Sequence, residues 1–144
     1  VSLSLPKKKF VCAGILAFYN DKVLFLYDKK YRHCALPQGK VKSGERSRET
    51  ALRELAEETG YCDAQVIRKI KQYQYHYQLD GQIIYKQIRV FLVKLLSLKK
   101  KAKELEEHEF YTNKFFSFNE VEEKAKYEVD KQMVRMVKKY LKKR

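Results

Sequence analysis

The chain has 144 residues, is 44% hydrophobic, and carries a net charge of +14 from 32 Lys and Arg against 18 Asp and Glu. That length and apolar content suffice for one domain spanning residues 1–144, and the charge attracts polyanions such as nucleotides, polyphosphates or RNA without choosing among them. Cys12, Cys34 and Cys62 are odd in number and form no Cys-x-x-Cys pair, so neither a disulfide framework nor a zinc site is indicated and a reduced, cytoplasmic protein is expected. No segment approaches the roughly 18 apolar residues of a membrane span.

Residues 10–18 form an apolar run that predicts a buried strand. Asn20-Asp21 supply a turn before a second strand over Val23 to Tyr27. Residues 28–34 are polar and read as loop, and Ala35-Leu36-Pro37 as a short extended entry into a glycine-containing loop. From Ser47 to Thr59 the pattern turns helical, with Ala51, Leu52, Leu55, Ala56 and Thr59 on one face, Ser47 as N-cap and Gly60 as stop. Two long strands, 65–79 and 83–96, flank the turn Asp80-Gly81. A basic loop at Lys99–Lys103 leads to Glu109-Phe110 and a shorter strand from Phe115 to Phe118. Asn119-Glu-Val-Glu122 fits a capping box, and a last helix from about Asp130 places Met133, Val134, Val137, Tyr140 and Leu141 on one stripe. The order is βββαβββα, a mixed sheet held between helices.

The chemistry concentrates between residues 39 and 60. Gly39 is followed by Glu45 after five residues, and Arg53-Glu54-Leu55-Ala56-Glu57-Glu58-Thr59-Gly60 follows after seven more. Seven residues recur at set spacings, an agreement expected by chance on the order of once in ten million starts. On a helix, Glu54, Glu57 and Glu58 fall within an arc of roughly 100° while Leu52, Leu55 and Ala56 point into the core. Like charges so placed repel, and a hard divalent cation relieves the repulsion. Oxygen ligands with partial water coordination suit magnesium, with manganese as a substitute. Arg53 lies four residues before Glu57 and within reach of the Glu45 loop, so it is expected to orient carboxylates. Gly39 and Gly44 let the main chain approach an ion closely.

These residues satisfy the Nudix box, and the chain resembles the Nudix hydrolases over nearly its full length. The resemblance implies an α/β (α+β) fold, an α/β/α sandwich with a mixed sheet, and hydrolysis of a nucleoside diphosphate linked to another group. It further implies that the Gly39 carbonyl, Glu54, Glu57 and Glu58 are the metal ligands, with Glu45 and Arg53 in support. Family members often add a later carboxylate as ligand or base, for which Glu109 is the candidate and Glu107 the fallback.

Leu36-Pro37-Gln38-Gly39-Lys40-Val41 and the tyrosine-rich hairpin make the small diadenosine tetraphosphate hydrolases the most similar subfamily. Gln38 and Lys42 depart from it, and Gln38 brings the loop closer to RNA 5′-pyrophosphohydrolases. Tyr61 stands where an aliphatic residue is usual, a change of packing. Lys40 and Lys42 are placed to grip phosphates. Tyr73, Tyr75 and Tyr77 alternate on one strand face with His76 opposite; all three could stack a base, with Tyr75 and Tyr77 as the substrate-binding candidates, although such alternation is more often sheet packing. His33, His76 and His108 show no ligand or triad spacing. The expected reaction is magnesium-dependent attack of water on diadenosine tetraphosphate, with an RNA 5′ end as alternative substrate and a non-catalytic RNA- or nucleotide-binding Nudix module as the rival of another class. No obligate protein partner is expected.

Overall fold

A computed structural model describes residues 5–101, 111–125 and 127–143. Seven strands form one mixed sheet: β1 (Lys7–Tyr19), β2 (Lys22–Asp28), β3 (His33–Ala35), β4 (Gln38–Lys40), β5 (Ala64–Leu79), β6 (Gln82–Leu95) and β7 (Tyr111–Ser117). Among the described residues three helices accompany them: α1 (Ser47–Thr59), α2 (Phe118–Lys124) and α3 (Glu128–Lys142). The main path runs β3-β2-β1-β6-β5, with β4 added to β1 and β7 to β2. Among the described strands β1 and β6 run parallel, and the other pairs are antiparallel.

β1 is apolar from Phe10 to Phe18 because both of its faces are covered over that stretch. Ala13, Ile15 and Ala17 belong to one core cluster with Ala51 and Leu55 of α1. Cys12, Leu16 and Phe18 belong to the other, with Met133, Val134 and Val137 of α3 and Val121 of α2. Alternate residues of a strand thus feed opposite layers, giving the expected sandwich of helices about a sheet. β1 and β2 pair only at their hairpin end, Phe18 with Val23 and Tyr19 with Lys22. Beyond that they diverge, and β4 pairs with β1 through Gly39 opposite Ala13. This divergence lets the segment bearing Gly39 lie beside α1.

The structure refines several expectations. The polar stretch 28–34 is partly strand: the Asp28 carboxylate accepts the N–H groups of Lys30 and Tyr31, and after this turn His33 pairs back with Asp28. α1 has Arg46, not Ser47, as N-cap; Ser47 is its first residue, and its hydroxyl lies 3.4 Å from Arg89. Leu52 is 37% exposed, so the buried stripe is Thr50, Ala51, Leu55 and Thr59. Gly60 does end α1, at φ +88. Asp80 and Gly81, both with positive φ, form the tight turn that joins β5 to β6. Phe118 begins a helix, because the capping box is Ser117 with Glu120: the Ser117 hydroxyl accepts the Glu120 N–H and the Glu120 carboxylate accepts the Ser117 N–H. Asn119 instead accepts a hydrogen bond from Lys138. Tyr61 is buried edge-on against Phe115. Lys103, Glu107, His108 and Glu109 lie outside the described residues.

Ser117→Ala should therefore lower stability by about 1 kcal/mol, whereas Asn119→Ala should stay within about 0.5 kcal/mol of the parent, both read by urea denaturation.

Candidate active site

α1 presents its charged residues to the turn that precedes it, and one guanidinium joins the two. Arg53 donates to both oxygens of Glu45, from Nε at 2.7 Å and from Nη2 at 2.9 Å, a bidentate pair. Its Nη2 also donates to the Lys40 carbonyl at 3.1 Å, and its Nη1 to Glu54 at 2.8 Å and Glu57 at 3.1 Å. Glu45 in turn accepts the Thr50 hydroxyl at 2.6 Å and the Lys42 N–H at 3.2 Å. Gly44, at φ +79, makes the bend that returns Glu45 to this position. The Arg53 guanidinium, and then the Thr50 hydroxyl, hold the Glu45 carboxyl down at about 2.

Glu54 and Glu58 occupy the inner side of the helix, four residues apart. Burial, then the neighbouring Glu54 charge, pushes the Glu58 carboxyl up to about 8, against the opposing Gln38 N–H that donates to it. The two acids share a hydrogen bond. Glu57 points outward, 39% exposed, to Arg53. Among the described residues no three His, Cys, Asp or Glu side chains are gathered in a ready ligand set; Glu54 and Glu57 are instead bridged by the same Arg53 Nη1. A Cβ on Gly39 would overlap the Glu54 carboxyl group, so this position accepts no side chain while Glu54 stays where it is.

Two hollows open from these acids. One, of about 680 Å³, is lined by Glu54, Glu58, Gln38, His33, Tyr73, Tyr111, Tyr127 and Asp130 among others; its size suits a nucleoside. The other, of about 730 Å³, runs from Glu54 past Phe10, Lys40 and Lys42. Lys40 and Lys42 thus line a groove with Glu54, while Tyr75 and Tyr77 lie further along the sheet.

Asp130 and His33 are residues that sequence reasoning passed over as site groups, and they share the nucleoside-sized hollow with Tyr73, the first of the three alternating tyrosines. The three come from distant elements, and no spacing could bring them together. Burial pushes the Asp130 carboxyl up from its ordinary value. No helix among the described residues is long and apolar enough to cross a membrane.

Residues 8–137 match the description NUDIX domain. The chain belongs to the Nudix family. It is similar to an RNA pyrophosphohydrolase of Wolbachia pipientis subsp. Culex pipiens, 34% identical over 85 residues that cover 57% of this chain and 51% of that protein. It is also similar to the ADP-ribose pyrophosphatase of Bacillus subtilis, 40% identical over 75 residues that cover 52% of this chain and 38% of that protein. The chain spans about half or less of the length of these curated relatives. Its fold is shared with the Ap4A hydrolase of C. elegans at a TM-score of 0.64 and 18% identity, covering 93% of this chain and 99% of that one. A Nudix hydrolase from Clostridium perfringens gives a TM-score of 0.60 at 15% identity, covering 94% and 97%.

Two predictions follow the geometry of α1. Between the ordinary carboxyl value of 4.5 and about 8, the folded metal-free protein holds a proton on Glu58 that the unfolded chain has released. Stability contributed by that group is therefore full below 4.5 and is lost as pH rises toward 8. Glu45 works in the opposite sense near 4.5, where the unfolded chain still partly protonates it, and contributes no slope once both states are ionised above about 6. Melting of metal-free protein at stepped pH should show the decline, and Glu58→Gln should flatten it. Gly39→Ala should fold, since Glu54 can swing aside, yet lose activity by about tenfold or more because the acid is displaced; kcat and melting temperature measured together separate the two effects.

Proposed function

We propose that this chain is a divalent-cation-dependent hydrolase of dinucleoside polyphosphates, with diadenosine tetraphosphate cut to ATP and AMP as the substrate to test first. The observation that carries this reading is the placement of Glu54 at the junction of two hollows, one walled by tyrosines and one by lysines. A substrate with a polyphosphate between two nucleosides matches that layout. The same fold in the C. elegans Ap4A hydrolase supports it.

The donor chemistry fits magnesium or manganese. Glu54 and Glu58 are two hard oxygen donors held so close that one keeps a proton, and magnesium commonly takes one or two carboxylates and completes its shell with water and phosphate oxygens. Glu54 and Glu58, with Glu57 and the Gly39 carbonyl, would hold the ion; Glu109 is carried forward from the family resemblance alone. When bound, the ion supplies neutralisation of phosphate charge. The chain's own residues do the rest. Arg53 fixes Glu45, Glu54 and Glu57 against the Lys40 carbonyl, so the acids and the 38–46 segment move as one piece. Lys40 and Lys42 place ammonium groups along the phosphates. Tyr73 and Tyr127 wall the nucleoside hollow, and Asp130 offers a carboxyl to a base edge.

The second reading is removal of pyrophosphate from a triphosphorylated RNA end. It is supported by the similarity to RNA pyrophosphohydrolases and by the +14 charge. A cytoplasmic setting accords with the three unbridged cysteines.

A panel of dinucleoside polyphosphates, triphosphorylated RNA and ADP-ribose, assayed with magnesium, decides between them. Release of ATP and AMP from diadenosine tetraphosphate, reduced about 100-fold or more in Glu58→Gln and abolished by chelation, is the expected result. Well-folded protein that binds nucleotides without turning any over would establish the binding module instead.

A further inference from the structure

The sheet register lays out a second surface beyond the lysine groove. Three rows cross β5, β6 and β1 on one face: Tyr77, Ile84 and Lys8; Tyr75, Lys86 and Phe10; Tyr73, Ile88 and Cys12, with Lys40 of β4 completing the last. This is the face on which α2 and α3 pack, and Cys12 and Ile88 lie in that core. The outer two rows are open at Lys8, Tyr75 and Tyr77 and half-buried at Phe10 and Lys86, while Ile84 between Tyr77 and Lys8 is buried. Tyr75 and Tyr77 are 41% and 36% exposed, and the three tyrosine rings form a stacked ladder with neighbouring centroids 6.4 and 6.2 Å apart.

A half-buried sheet face ordinarily carries aromatic rings that a second layer covers. Here Tyr75 and Tyr77 stay partly open, and what lies over Phe10 and Tyr77 is cationic. The Lys40 ammonium sits 3.8 Å from the Phe10 ring centre, that of Lys8 5.2 Å from the same ring, and that of Lys86 5.8 Å from Tyr77. Among the described residues no carboxylate lies within ion-pair distance of Lys8, Lys40 or Lys86. Asp80, at the hairpin tip, is the acid lining the outer hollow, which Lys8, Phe10, Lys40, Tyr77 and Lys86 share. Phe10 and Lys40 line both this hollow and the groove that reaches Glu54, so the surface is continuous with the acids.

We infer that this open face of β1, β6 and β5 is a track for single-stranded RNA, which runs outward over Phe10, Lys86, Tyr75 and Tyr77 from a 5′-polyphosphate end held at Glu54 and Glu58. The chemistry is that of known single-strand surfaces: exposed rings stack bases of any sequence, and interleaved cations follow the phosphates. A duplex is excluded because its bases are already stacked and its ring faces are hidden. A dinucleotide is filled by the two hollows at the acids and has no need of the outer rows. The inference rests on the second reading above for where the 5′ end lies, but the binding of the RNA body is measurable without turnover.

The test uses the whole chain and a 3′-fluorescent single-stranded RNA of about ten nucleotides, a length matched to such surfaces, with a 5′-hydroxyl so that the acids are not engaged. Anisotropy should show binding that Tyr75→Ala and Tyr77→Ala each weaken about tenfold. The combined Lys8→Gln, Lys86→Gln variant should weaken it and reduce the slope of log affinity against log salt by about 1.4, two phosphate contacts' worth for a single strand. That variant should hydrolyse free nucleoside polyphosphate as the parent does. On a triphosphorylated RNA of the same length the parent should show a lower KM than on free nucleoside triphosphate, and the variant should lose that advantage. Equal binding of duplex and single strand, or binding untouched by these substitutions, overturns the track. Absence of turnover on every polyphosphate, with binding still sensitive to the tyrosines and lysines, removes the reading of the acids and leaves the track standing.

Discussion

The grip of Arg53 on Glu45, Glu54, Glu57 and the Lys40 carbonyl is the contact on which the rest of the site depends. It spans from the last residue of β4 to the outer face of α1, two segments with few apolar contacts of their own at this end. A lysine gathers its three donors on one rotating nitrogen, whereas the planar fork reaches several separated acceptors at once in fixed directions. The tight hold on Glu45 has an electrostatic purpose as well. The guanidinium holds Glu45 bidentately and is shared with Glu54 and Glu57, so one positive charge is spread over three acids while Glu58 stays beyond its reach.

The inner pair, Glu54 and Glu58, is in tension with the fold around it. Two carboxyl groups at i,i+4 repel, and burial adds to the cost of ionising both. The protein tolerates the arrangement by keeping a proton there and by supplying the Gln38 N–H. Helix α1 remains in place because its opposite side, Ala51 and Leu55 against Ile15 and Ala17 of β1, is fully buried. Packing on one side of a helix thus sustains unfavourable electrostatics on the other, as expected where structure serves chemistry.

Much of this was legible in the residues. The helix from Ser47 to Thr59 and the Asp80-Gly81 hairpin carry strong local signals, since a 3.6-residue period and a turn needing positive φ leave few alternatives. The strand at Gln38–Lys40 could not be seen, because three residues show no period and it exists only as a partner of β1. The cap at Ser117 was misplaced by two residues because Ser-Phe-Asn-Glu and Asn-Glu-Val-Glu both fit the pattern, and the choice is made by where β7 ends. Leu52 was assigned inward by type, whereas the helix turns it toward solvent. Tyr73, His33 and Asp130 were invisible as a group, because what unites them is the closing of the sheet and the docking of α3.

The parallel pairing of β1 with β6 sets an order on how the molecule comes into being. Lys7 to Phe18 are matched with Ile83 to Lys94, so the most apolar strand has its central neighbour only after more than half of the chain lies between them. Contacts of such sequence separation close late, while the β5–β6 hairpin needs only its own turn. During synthesis β1 leaves the ribosome long before β6, and its hydrophobic run spends that interval exposed to chaperones or to other nascent chains. The charged stretch Lys7-Lys8-Lys9 immediately ahead of it supplies the repulsion that keeps such an uncovered strand from adhering to its own copies.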